Sequence, residues 1–190
     1  MNFPPADEIK ALLDPDAILQ QEFEYARETA LQANHDRTQV VNLYLLLVGG
    51  AGSLALGLPA LAPADLRAAP LLLASVSALL GGVGLFTVLK LIRLRRAWHD
   101  SAQTMNQIKD FYLAHYPELA PAFRWRTTTL PPLGQIGTIT FDLAGLVALV
   151  DSLAVGAAAF FLGAPAAGVA AAAAAFLAVQ IGLYFRLLRR

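Results

Sequence analysis

The sequence predicts an all-α integral membrane protein with four transmembrane helices, the first two extended by a cytoplasmic helical hairpin. Three observations predict it. Of 190 residues, 57% are apolar, against roughly 45–50% in soluble proteins, and only 15% are charged. The charges are segregated: no Asp, Glu, Lys or Arg lies between Arg37 and Asp65, between Arg67 and Lys90, or between Asp151 and Arg186. Each gap is long enough for a span, which takes roughly 20 apolar residues. The basic residues, finally, fall on one side of a four-span arrangement.

Residues 1–38 are expected to form a cytoplasmic N-terminal helix. Their first ten residues, MNFPPADEIK, are acidic and carry prolines, so they do not read as a cleaved signal peptide. Residues 39–92 make a first transmembrane hairpin, with spans at about Val40–Leu61 and Pro70–Ile92 separated by Pro63-Ala64-Asp65. Residues 93–136 form a cytoplasmic helix and a return segment that Pro131 and Pro132 keep from being a regular helix. Residues 137–186 form a second transmembrane hairpin. Its 34 uncharged residues from Ser152 to Phe185 are too many for one helix, and Gly163-Ala164-Pro165 divides them, giving spans at about Ile139–Leu162 and Ala166–Phe185. A basic tail, 187–190, closes the chain.

Lys and Arg are retained on the cytoplasmic side during insertion. Thirteen of the fourteen fall before the first span, at or after the end of the second, or after the fourth, leaving Arg67 alone outside. Both termini are therefore expected in the cytoplasm, and the membrane is expected to be the cell's inner, cytoplasmic membrane. Arg93, Arg95 and Arg96, with Arg186, Arg189 and Arg190, form a basic collar read as lipid-facing. Arg124, Trp125 and Arg126 combine guanidinium and aromatic groups suited to a headgroup layer and are read as an interfacial anchor.

No glycine or proline occurs between Ala17 and Val48, so the first transmembrane helix is expected to continue into the cytoplasm as a stalk. Leu19, Phe23, Ala26, Ala30 and Ala33 recur at spacings of four and three. After the second span, Leu94, Trp98, Ser101, Met105, Ile108 and Tyr112 keep the same alternation, and two such seams suggest an antiparallel coiled-coil-like hairpin. Counting outward from the membrane places Glu22 and Glu24 near Lys109.

Asp151 falls near the middle of the third span, where a charged side chain costs about 2.5–3.5 kcal/mol on insertion scales. Asp142, nine residues earlier, lies half a turn out of phase and near the interface. At the depth of Asp151 the first span offers Gly49, Gly50, Gly52 and Ser53 and the second Gly81, Gly82 and Gly84, while the fourth span is alanine-rich from Ala166 to Ala175 and carries the polar Gln180 further on. Small residues let helices approach closely. Asp151, Ser53 and Gln180 are thus candidate intramembrane polar residues. They serve either a packed structure, in which a protonated Asp151 bonds Ser53 or a helix carbonyl, or a water-accessible path, where copies in a homo-oligomer form an acidic ring.

Other motifs are weaker. Gly50-x-Gly52-x-x-Ala55 imitates a dinucleotide fingerprint, but the apolar run continues through it to Leu61 and Pro70 stands where an acidic ribose ligand belongs. His35-Asp36 and His99-Asp100 read as a polar layer at the headgroup boundary, with a metal or pH-sensing site as the sharper alternative. The absence of cysteine excludes disulfides and thiolate metal sites. No nucleophile–base constellation, cofactor motif or metal set is found, so no catalysis and no cofactor are expected. The formal net charge of zero gives no sign of nucleic-acid binding.

Two membrane helices joined to cytoplasmic helices over residues 16–116, without an enzyme motif, resemble the SLATT-type helical membrane effectors of prokaryotic conflict systems. The C-terminal hairpin departs from that pattern, and no motif carries functional residues across. The resemblance implies an oligomerising protein that perturbs or permeabilises the membrane when a cytoplasmic sensor triggers it. Two other readings stand beside it: a non-conducting scaffold tethering a cytoplasmic partner, and a small proton-coupled transporter using Asp151.

Overall fold

A computed structural model describes residues 14–61 and 69–189, with the backbone alone at 58–61. These residues form four long helices and no strand: α1 (Pro15–Leu61), α2 (Ala69–His115), α3 (Ile139–Phe161) and α4 (Ala166–Leu188). All four are long and apolar enough to cross a membrane, which marks a multi-pass membrane protein. Lys10, Arg67, Arg190 and the Pro63-Ala64-Asp65 turn lie outside the described residues.

Each helix boundary has a local cause. α1 begins at a proline, where the missing N–H has no partner to lose, and the preceding Asp14 carboxylate accepts the Asp16 N–H at 3.0 Å. It runs for 47 residues, free of Gly and Pro from Ala17 to Val48 and continuing through four glycines and Pro59 to Leu61. α2 is equally long. Between α2 and α3 the prolines permit only two short 3-10 turns, Pro117–Ala122 and Thr127–Thr129. The Thr138 hydroxyl caps α3 by accepting the Phe141 N–H at 3.3 Å. At the end of α3 the Ala164 N–H reaches the Ala159 carbonyl and the Gly163 N–H reaches that of Phe160. This pattern needs a left-handed residue, and Gly163 supplies it with φ of 85°. Pro165 then opens α4.

Contacts divide the chain into two compact units, to which α1 and α2 both contribute. One comprises residues up to Asn34 and 97–131; the other, residues 35–96 and 132 onward. In the first, Ala26, Ala30 and Ala33 of α1 are buried, as are Ser101, Ala102, Asn106, Ile108 and Leu113 of α2. The Tyr112 hydroxyl donates to the Asp16 carboxylate at 3.2 Å, and Lys109 lies 6.0 Å from the centre of the Phe23 ring. Contacts of residue 16 with 112 and of 23 with 109 define an antiparallel pairing. The expected ion pairs of Glu22 and Glu24 with Lys109 are absent. The Lys109 ammonium instead donates to the Asn106 side chain at 3.3 Å, and both glutamates are exposed.

In the second unit a core forms from Val41 and Tyr44 of α1, Val88, Leu91 and Ile92 of α2, Ala144, Val147 and Ala148 of α3, and Tyr184 and Leu188 of α4. α3 and α4 pack closely where Gly156 faces Val169 and Ala173. α1 contributes at one end only. Beyond Tyr44 its span has no buried residue among those described, and Leu45, Leu46, Leu47 and Leu54 are exposed.

Candidate functional site: a buried carboxyl and an arginine collar

Asp151 is the centre of the second unit's polar chemistry. Its side chain has 0% exposure, as has that of Gln180. Helix α3 turns Asp151 inward and leaves Asp142 exposed, as their half-turn phase difference requires. The Gln180 amide of α4 donates to Asp151 Oδ1 at 2.8 Å and lies 3.4 Å from the Ser152 hydroxyl, which itself donates to the Ala148 carbonyl. On the opposite side stands Gly84 of α2, where an added Cβ would overlap the Asp151 carboxyl; one turn away, a Cβ on Gly81 would strike Val155. Glycine at these two positions is a steric requirement.

The first span does not complete this site as the sequence suggests. A Cβ added to Gly49, Gly50 or Gly52 would meet nothing within 4 Å, and the same holds for Gly82. Ser53 is exposed and donates to the Gly49 carbonyl, so it is not the partner of Asp151. The most deeply buried residue of α1 in this unit's core is Tyr44, 1% exposed. Beyond Tyr44 no residue of α1 up to Gly57 is buried, so nothing packs against its glycines. Gln180 was legible as a polar residue in an apolar helix; that it would be the hydrogen-bonding partner was not.

Several buried polar atoms here have no hydrogen-bonding partner: Asp151 Oδ2, Gln180 Oε1 and the Tyr44 hydroxyl. A small apolar pocket of about 60 Å³ lies beside Gln180 and Tyr184, walled by Phe141, Ala144 and Ile181.

At the end of the same unit nearest the basic collar, three arginines join elements. Arg37 of α1 donates to the Thr140 hydroxyl of α3 at 3.1 Å. Arg95 of α2 donates to the carbonyls of Leu133 and Pro132 at 3.3 and 3.5 Å. Arg96 donates to the Leu187 carbonyl in the last turn of α4, whose final carbonyls have no partner within the helix. The lipid-facing reading therefore needs correction for Arg95 and Arg96. Arg95 is 7% exposed and Arg96 half-buried, whereas Arg93, Arg186 and Arg189 are exposed. Helical phase separates them, since Arg93 lies about 200° from Arg95 around α2.

In the first unit, Leu19, Phe23, Trp98, Met105 and Tyr112 are half-buried, and Ala26, Ala30 and Ile108 are buried. Leu94, buried, belongs to the second unit. Of the three residues read as an interfacial anchor, Arg124 and Trp125 are exposed, while Arg126 forms an ion pair with Asp110 at 3.6 Å. A hydrogen bond from the Thr127 side chain, with the Arg126 charge, holds the Asp110 carboxyl below its usual range. Trp98, Met105, Trp125 and Pro131 wall a groove of about 270 Å³ in which Lys109 and Asn106 are the polar groups. His35 is in contact with Gln39, their Nε2 atoms 2.8 Å apart. Among the described residues no three His, Asp or Glu side chains converge as a metal set.

No protein-family model, curated protein or solved structure matches the chain.

Proposed function

We propose that this chain is a membrane-anchored docking protein of the cytoplasmic membrane. Its four spans hold the helical unit built from residues 14–34 and 97–131 at the cytoplasmic face, where that unit receives a soluble protein partner. The carrying observation is the closure of Asp151: an acidic group that lined a conducting path would have an open side, whereas this one is enclosed by Gln180 and Gly84.

Charge supports the docking half of the reading. The described residues of the first unit carry eight Asp or Glu against four Lys or Arg, and those of the second carry three against seven. An acidic unit is repelled by anionic lipid and suits a partner with a basic surface. The groove beside Trp98 and Trp125 offers aromatic anchors of the kind that dominate protein interfaces.

The test is ion flux in liposomes containing the full-length chain. No conductance above protein-free liposomes is expected, from the wild type or from Asp151→Asn. Leakage that Asp151→Asn abolishes would overturn the docking reading and support a conducting one.

The second reading is a homo-oligomeric, membrane-perturbing effector, favoured by the open small-residue face of α1, where Gly49, Ser53 and Gly57 recur every four residues. In that case the permeation path would run between copies, and leakage would appear only with association and would survive Asp151→Asn. Crosslinking of Gly52→Cys to itself in native membranes, followed by dye release, distinguishes it.

A further inference from the structure

We infer that Asp151 is a proton-binding site, and that the bound proton fastens α2 to α3 at Gly84. The inference stands apart from the docking reading and holds whether or not the chain conducts.

It begins with a mismatch of donors and acceptors. Asp151 Oδ1 accepts the Gln180 amide N–H, but Asp151 Oδ2 and Gln180 Oε1 are both buried acceptors without a donor. Each is an acceptor buried in an apolar interior, and each unmade bond costs about 1–3 kcal/mol. A single proton on Oδ2 turns one of them into a donor and removes the charge as well.

No protein group supplies the positive charge instead. Facing Asp151 from α1 is Tyr44; from α2, the uncharged Gly81 and Gly84; from α4, Gln180 and, one turn further, Tyr184. Among the described residues none of these is a cation, and the ion pair that is formed, Arg126 with Asp110, belongs to the other unit. A metal ion is excluded by size. Oδ2 lies so close to the Gly84 backbone that even a methyl group would overlap it, whereas a coordinated cation needs several oxygens around it at more than about 2 Å. A proton needs no added volume.

The consequence is mechanical. Release of the proton leaves an unpaired charge pressed against the α2 backbone, and a buried charge without a partner is relieved by opening the contact to water. The joint that opens is between the Gly81–Gly84 turn of α2 and the Asp151–Val155 turn of α3.

The test is infrared spectroscopy of the full-length chain in lipid nanodiscs. At neutral pH the carbonyl band of a protonated carboxylic acid is expected; it should vanish in Asp151→Asn and persist in Asp142→Asn. On raising the pH, the wild-type band should disappear together with a gain in hydrogen exchange at residues 81–88 and 148–155, and Asp151→Asn should show no such pH-dependent gain. The inference is overturned if wild type and Asp151→Asn have the same carboxylic-acid band, or if sodium at fixed pH removes the band, which would assign the site to a metal cation. Should Asp151→Asn fail to accumulate, carboxyl NMR of wild-type chain labelled at aspartate answers the same question. One resonance at the protonated-acid position at neutral pH supports the site, and its absence refutes it.

Discussion

Gly84 and Gly52 are both glycines inside apolar helices, yet they serve opposite surroundings. Gly84 is buried with the Asp151 carboxyl where its Cβ would be, and Gly52 is exposed with nothing within 4 Å. Gly84→Ala must displace a side chain that is held by Gln180, so it is expected to cost about 1–3 kcal/mol, the usual range for overpacking. Gly52→Ala gains helix propensity worth about 0.5–1 kcal/mol without a clash, so it is expected to be neutral or mildly stabilising. Thermal unfolding in one detergent compares the two; equal losses would mean that the open face of α1 is packed in the folded protein. The sequence presents the glycines of the first two spans as equivalent at one depth and cannot rank them, because what separates them is which of them α3 packs against.

Among the described residues the return segment between α2 and α3 carries one ion pair, a tether of Arg126 to Asp110 of α2, to which Thr127 adds a hydrogen bond. Because these partners favour the ionised carboxyl, its folded-state pKa lies below the unfolded value near 3.8. The tether's contribution is therefore complete above that value and is lost as pH falls through the lower folded one. With Trp98→Phe leaving Trp125 as the sole tryptophan, acid titration of its fluorescence is expected to show a transition below pH 3.8 that Asp110→Asn removes. A transition unchanged by Asp110→Asn would assign it to another carboxylate. Helices of this kind were legible from the absence of Gly and Pro across residues 17–48 and from Gly163-Ala164-Pro165. The tether was not, because an acid on α2 and a base sixteen residues later carry no periodic relation to one another.

For the whole molecule, charge segregation and apolar length were enough to identify four candidate spans, since both follow from the energetics of each stretch alone. The polar contacts among the spans were not, because they depend on which faces meet: Asp151 pairs with Gln180 rather than Ser53, and Arg95 turns to the return-segment carbonyls rather than to lipid. Orientation is the property on which the docking reading depends, and the chain is well suited to measuring it. It has no cysteine, so one introduced thiol is a unique reporter. Leu162, at the α3–α4 turn, and Thr128, in the return segment, are both exposed, and the charge distribution puts them on opposite sides of the membrane. In intact cells, or in spheroplasts where an outer envelope intervenes, a membrane-impermeant maleimide is expected to label Leu162→Cys, and to label Thr128→Cys only after the membrane is permeabilised. The reverse pattern would place the acidic helical unit outside the cell. It would also set aside a cytoplasmic partner, while leaving the proton site at Asp151 intact, because that site depends on contacts within the bundle and not on which side each end faces.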